Sequence, residues 1–235
     1  MVYYPAGGKM KNTFTKLALF FVVLSPWIFA RSLTVKDHTM VIKFLLENPA
    51  QVRKWLRSRG RAGRITPEEV MNFVSKAAST RSNSDLADVA KRTISIANSR
   101  TRVPLPVEST NLIGKIRSAK TLAEVQSVLV QATSLRKSPA SSGAKFALEI
   151  IKDGLRNGIY SMRGYSAYIA PKRRRGIWAA LADEVLDTAK NDAVGAIIGA
   201  VIGPEGAVAG AIASSSSSVA ETLLNLVLGN PEPAY

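Results

Sequence analysis

The chain has no cysteine and only one histidine among its 235 residues. The first absence excludes disulfides, thiolate catalysis, thiolate zinc sites and a lipidated cysteine. The second excludes any multi-histidine metal cluster. Acidic residues are also scarce: 17 Asp and Glu stand against 32 Lys and Arg, a net charge of +15. That imbalance suits anionic partners such as a lipid surface, a nucleic acid or an acidic protein face. Aromatic residues reach only 7%, yet apolar residues make up 46%. That apolar share can build a core, so disorder throughout is excluded. The chain has no phosphate-binding P-loop, no strand-linked glycine fingerprint and no nucleophile elbow. His38 lacks a second histidine to share a metal. Asp183, Glu184 and Asp187 are accounted for by the polar face of an amphipathic helix. The expectation is a non-enzyme with no cofactor, no metal and no evident small-molecule substrate.

The charge is unevenly placed. Residues 1–176 carry 31 basic and 10 acidic side chains, whereas residues 177–235 carry one basic residue, Lys190, and seven acidic ones. Such a break suggests two functional regions. It divides the chain into a basic helical domain over 31–170, a basic linker over 171–176, a helical hairpin region over 177–230 and a tail over 231–235. The linker holds Lys172, Arg173, Arg174 and Arg175, a run that is alternatively a proteolytic processing site.

Residues 1–30 read as a secretory signal peptide, with Met1 to Lys9 as an upstream extension. Lys11 and Lys16 precede an uncharged stretch from Leu17 to Ala30, and the polar Arg31-Ser32 follows. A small residue closing a short apolar stretch fits a cleavage site. As a helix, that stretch of 14 residues spans about 21 Å, short of the roughly 30 Å bilayer core. Export to the medium or the cell envelope, with cleavage near Ala30, is the expected localisation. An uncleaved anchor and a buried helix are the alternatives.

Helical spacing dominates residues 33–170. Met40, Val41, Phe44 and Leu45 form one stripe, and Asn48-Pro49 ends that helix and caps the next. Thr66-Pro67-Glu68-Glu69 is a capping box, with Val70, Phe73, Val74 and Ala77 following it. Asp85 opens another helix, and Thr121 to Glu124 forms a second box. Ser138 to Gly143 reads as a linker, and Leu148, Ile151 and Leu155 form a further face. The fold class expected is mainly α: an irregular bundle of short helices followed by a glycine-rich helical hairpin.

Two basic clusters are candidate anionic-surface sites. Arg53, Lys54, Arg57, Arg59, Arg61 and Arg64 surround Trp55. Each cation can pair with a phosphate, and Trp55 either stacks on a ligand or belongs to the core. The second cluster is Lys172, Arg173, Arg174 and Arg175, preceded by Arg163 and by Tyr160, Tyr165 and Tyr168. Those tyrosines suit a nucleic-acid surface or a membrane interface, or else an exposed loop.

The C-terminal region opens with an amphipathic helix whose apolar face is Ile177, Trp178, Leu181, Ala182, Val185, Leu186 and Ala189. Beyond it, Gly195, Gly199 and Gly203 recur every fourth residue, and so do Gly206, Gly210, Ser214 and Ser218. Residues four apart share one helix face, so each arm carries a groove of small residues that lets backbones approach closely. Pro204-Glu205 marks the bend, with Glu205 expected to reach water there. Each helical glycine costs about 1 kcal/mol relative to alanine, so this repetition needs close packing to offset it.

Residues 192–218, centred on GAIIGAVIGPEGAVAGAIASSSSS, resemble the glycine-zipper segment of bacteriocin-like, membrane-active bacterial proteins. The resemblance covers about 27 residues of the chain. It implies membrane insertion and permeabilisation, or helix packing in an envelope. The chain departs from a bacteriocin precursor in its length and in its general secretory N-terminus. The function expected is an exported, membrane-associated protein. Its basic helices would contact anionic surfaces, and its hairpin would pack or insert in a membrane and could join copies into a homo-oligomer. The alternative is a basic helical module for nucleic acid or an acidic protein, oligomerising through the hairpin.

Overall fold

The computed structural model describes residues 32–60, 63–100, 103–134, 137–168 and 177–228. The expected signal peptide over 1–30, Arg61, the 171–176 linker with Lys172 to Arg175, and the 231–235 tail lie outside the described residues.

The described chain is mainly helical, as its spacing predicts, and has no strand among the described residues. Ten α-helices are described: α1 (Val35–Glu47), α2 (Pro49–Arg59), α3 (Pro67–Ser79), α4 (Ser84–Arg100), α5 (Val107–Ser118), α6 (Leu122–Thr133), α7 (Pro139–Arg156), α8 (Met162–Tyr165), α9 (Ile177–Gly199) and α10 (Pro204–Leu228). Short 3-10 turns follow α8 and α9, at Ser166–Tyr168 and Ala200–Ile202.

Local chemistry sets most of the boundaries. Asn48 ends α1, and Pro49 starts α2 at the first helical position. Gly60, at φ +67°, closes α2 by donating its N–H to the Leu56 carbonyl at 3.1 Å. At α3 the box is reciprocal. Thr66 Oγ1 accepts the Glu69 N–H at 3.2 Å, and the Glu69 carboxylate accepts the Thr66 N–H at 2.8 Å. That bond and the Arg59 guanidinium hold the Glu69 carboxyl below its ordinary range. At α6 the second box is only half formed. Thr121 Oγ1 accepts the Glu124 N–H, but the Glu124 carboxylate takes the Lys120 N–H at 2.6 Å.

Ser138 to Gly143 is not a linker. Ser138 accepts the Ser141 N–H at 3.2 Å and Pro139 sits at the first helical position, so the segment is the opening of α7. Its small residues also serve packing: a Cβ on Gly143 would lie 2.6 Å from the Ile197 Cα of α9. Leu112, Ile113 and Ile116 are buried on a full helix, α5.

The described residues from Leu33 onward form one compact unit. At its centre α9 and α10 pack along each other. Helices α1 to α4 and α7 all touch α10, whereas α5 and α7 press on α9 and α6 backs α7. The basic and glycine-rich regions therefore share one core. Val41, Ile42, Leu45, Leu56, Val70 and Val74 from the first helices bury with Ala207, Val208, Ala211, Ile212 and Val219 of α10.

Candidate functional site

Three features could carry function: the glycine seam, the basic outer face and a buried polar cluster. The seam brings together Gly195 and Gly199 of α9 with Gly206 and Gly210 of α10. A Cβ on Gly199 would overlap the Gly206 carbonyl oxygen, and one on Gly210 would overlap that of Gly195. A Cβ on Gly195 would sit 2.6 Å from the Gly210 carbonyl carbon and 2.7 Å from Ser214 Oγ. Ordinary carbon contacts are about 3.5–4.0 Å, so the two backbones meet only because side chains are absent. Ser218, one turn further on, lines a cleft beside Lys190 and Asn191.

Gly203 does not belong to the seam. Its φ is +108° and a Cβ there would meet nothing within 4 Å. It supplies the positive backbone angle that turns the chain into α10, a conformation L side chains rarely adopt. Glu205 does not simply point into water either. Arg92 of α4 donates to both of its carboxylate oxygens at 2.8–3.1 Å, and the Leu33 N–H donates to Oε1 at 2.9 Å. Both charged side chains are only about 30% exposed. α10 has 25 residues and is long and apolar enough to cross a membrane, with half of its apolar window buried inside the bundle.

The basic cluster on α2 divides into engaged and exposed cations. Arg53 donates to the Ala167 carbonyl at 2.9 Å and lies 5.8 Å from the Tyr168 ring centroid. Arg59 pairs with Glu69 at 3.2 Å and donates to the Gly63 and Arg64 carbonyls. Lys54, Arg57 and Arg64 face solvent, and Arg64 lies 3.5 Å from Glu221 while remaining 88% exposed. Trp55 is stacked on Phe73 at 4.4 Å, with planes 9° apart, against the core. It is a packing residue.

The tyrosines are neither a ligand-stacking surface nor an exposed loop. Tyr160, Tyr165 and Tyr168 are all buried. The Tyr168 hydroxyl donates to the Leu45 carbonyl. Burial pushes all three phenols up, and the neighbouring Asp192 pushes Tyr160 further, whereas Arg53 partly opposes the rise at Tyr168.

Tyr160 belongs to the buried polar cluster, whose members are distant in sequence. Its hydroxyl donates to Asp192 Oδ2 at 2.5 Å, and His38 Nε2 lies 2.5 Å from Asp192 Oδ1 and 3.1 Å from Ser215 Oγ. Gly154 makes room for the ring, because a Cβ there would lie 2.9 Å from Tyr160 Cζ. Histidine, aspartate and serine together suggest a hydrolytic relay, but the geometry is different. A relay needs the carboxylate on one ring nitrogen and the hydroxyl on the other. Here both meet Nε2, Nδ1 has no partner among the described residues, and Ser215 donates to the Ala211 carbonyl at 2.9 Å. His38, Asp192 and Ser215 are fully buried. The cluster ties α1 and the segment after α7 to both hairpin helices. Sequence spacing carried no signal for it, since His38 and Asp192 are 154 residues apart. No protein-family model, curated protein or solved structure matches the chain.

Proposed function

We propose that this is an exported, membrane-associated protein. Its exposed cations dock on an anionic bilayer surface, and its α9–α10 hairpin supplies the apolar element that packs against or enters the membrane. The observation that carries this reading is α10, a span-length helix with no charged residue from Gly206 to Ala220 and half of its apolar window buried, in a chain with net charge +15. Lipid is favoured over nucleic acid because Trp55 and the three tyrosines, the groups that would stack on bases, are committed to packing. In this reading the soluble form docks first, and entry requires the hairpin to leave α1 to α5 and α7. Bacteriocin-like permeabilisation is the strongest form of the proposal.

Each cation near an anionic surface contributes about 1 kcal/mol. Lys54, Arg57 and Arg64 together then favour anionic over neutral vesicles by on the order of a hundredfold. The test is co-sedimentation of the full chain with phosphatidylglycerol-containing and pure phosphatidylcholine vesicles, at low and high salt, with dye leakage followed in parallel. The expected result is binding to the anionic vesicles that salt weakens, as screening requires. Equal binding to neutral vesicles, or none to either, would overturn the proposal. Tight, salt-dependent binding to duplex DNA without vesicle binding would replace it with the nucleic-acid reading.

A further inference from the structure

A cleft of about 630 Å³ runs along the outer side of α1, within the roughly 300–1,000 Å³ of small-molecule sites. Lys36, Met40, Lys43 and Phe44 line it from α1, Arg81 faces them from the α3–α4 turn, and Ala78 and Leu86 extend its apolar floor. Glu47 to Lys36 along α1 is a stripe about 17 Å long at 1.5 Å per residue. Thr39, Asn48, Asn83 and Asn157 also line it, so the cleft has a mixed apolar and polar lining with cations along its rim.

The charges at the rim are unevenly satisfied. Its two acids have partners: Asp153 accepts the Thr39 hydroxyl, and Glu47 lies 3.8 Å from Lys43. The Lys43–Glu47 pair is exposed on both sides, the kind of ion pair that an incoming anion displaces at little cost. Arg81 donates to Asn48 Oδ1, a neutral amide. Among the described residues no carboxylate pairs with Arg81 or Lys36. An arginine fork is suited to a planar or tetrahedral oxyanion, and it is the feature a neutral ligand would leave unused.

We propose that this cleft binds a single-chain anionic amphiphile, with Arg81 and Lys43 on its phosphate head and Met40, Phe44, Ala78 and Leu86 along its chain. The membrane reading above bears only on where the ligand comes from, a lysolipid drawn from a bilayer or a free alkyl phosphate. The site itself is tested without a bilayer.

The experiment is isothermal calorimetry of the full chain with monomeric dodecyl phosphate, alongside dodecanol and inorganic phosphate. One-to-one binding of dodecyl phosphate is expected, at least tenfold tighter than either half-ligand. Arg81→Ala and Lys43→Ala should each weaken it about tenfold, and Arg81→Lys should recover part of the loss. Thermal melts of the same variants separate a lost contact from a lost fold. Equal affinity for dodecanol or for inorganic phosphate, no heat at all, or full-affinity binding by folded Arg81→Ala and Lys43→Ala would each overturn the proposal. A second arm mixes the chain with vesicles containing lysophosphatidic acid. Transfer of that lipid to the protein fraction identifies the bilayer as the source, and its retention alongside dodecyl phosphate binding identifies a free amphiphile. Absence of binding to anionic vesicles in the co-sedimentation test removes the membrane reading while leaving the calorimetric result intact.

Discussion

Replacing Gly195 with alanine tests whether the α9–α10 seam is a true backbone contact. The new methyl carbon would lie 2.6 Å from the Gly210 carbonyl carbon and 2.7 Å from Ser214 Oγ. Restoring contacts of about 3.5 Å requires the helices to separate by roughly 1 Å. Ser214 can rotate away, but the Gly210 backbone cannot. Overpacking of this kind costs about 1–3 kcal/mol, and the shift propagates because α1 to α4 also pack on α10. Against it stands a helix-propensity gain of about 1 kcal/mol. A net loss of about 1 kcal/mol, and at most about 2 kcal/mol, is expected. Gly114→Ala in α5 is the matched control: a Cβ there meets nothing within 4 Å, so only the gain of about 0.5–1 kcal/mol remains. Urea denaturation of the two variants should place them on opposite sides of the parent, and thermal melts should separate their melting temperatures by about 3–8 °C at 2–4 °C per kcal/mol. If Gly195→Ala is as stable as the parent, or gains as Gly114→Ala does, the seam is not close-packed.

Three further outcomes are expected. Arg92→Ala removes a two-pronged, partly exposed clamp from Glu205 and should cost about 1–2 kcal/mol; a double-mutant cycle with Glu205→Ala should show coupling, and additive losses would deny it. The raised phenols of Tyr160, Tyr165 and Tyr168 make stability flat below the free-tyrosine value of about 10 and falling above it, because the unfolded chain releases those protons first. An ultraviolet titration should accordingly show three of the six tyrosines ionising only as the fold is lost, and their early ionisation would contradict the burial. Mass spectrometry of the chain recovered from its native host should find an N-terminus near Arg31, whereas an intact Met1 in the cytosol would remove the export reading.

Much of the fold was legible because helix signals are local. Thr66 and Glu69 are three residues apart, and Asn48-Pro49 reads as a stop and a start without reference to anything else. The every-fourth-residue glycines were equally visible, but not which of them would meet. Gly203 fits the period yet serves the turn, which only its backbone angle reveals. The failures share one cause: partners distant in sequence. Gly143 sits in a composition typical of linkers and is small because Ile197 approaches it from α9. Tyr160, Tyr165 and Tyr168 lie among arginines and looked superficial, but they cap α1 and the hairpin from within. Glu205 was expected in water because no local partner exists, and Arg92 lies 113 residues away. His38 was unremarkable by spacing, and its role depends on Asp192, Tyr160 and Ser215 arriving together.

The central position of α10 has a consequence for how the chain matures. In chain order α10 follows every described helix that packs against it, so α1 to α4 pack on one another but emerge from the ribosome before the helix they share. Val41, Leu45, Val70 and Val74 find part of their packing among α1 to α4 and α7, but lack Ala207 to Val219 until α10 has been synthesised. Such a nascent chain cannot complete its core until α10 is present. The hairpin forms from neighbouring segments with a short loop, the fast kind of contact, and then serves as the template on which the waiting helices condense. Completion of this core is thereby postponed until α10 has been synthesised, by topology alone.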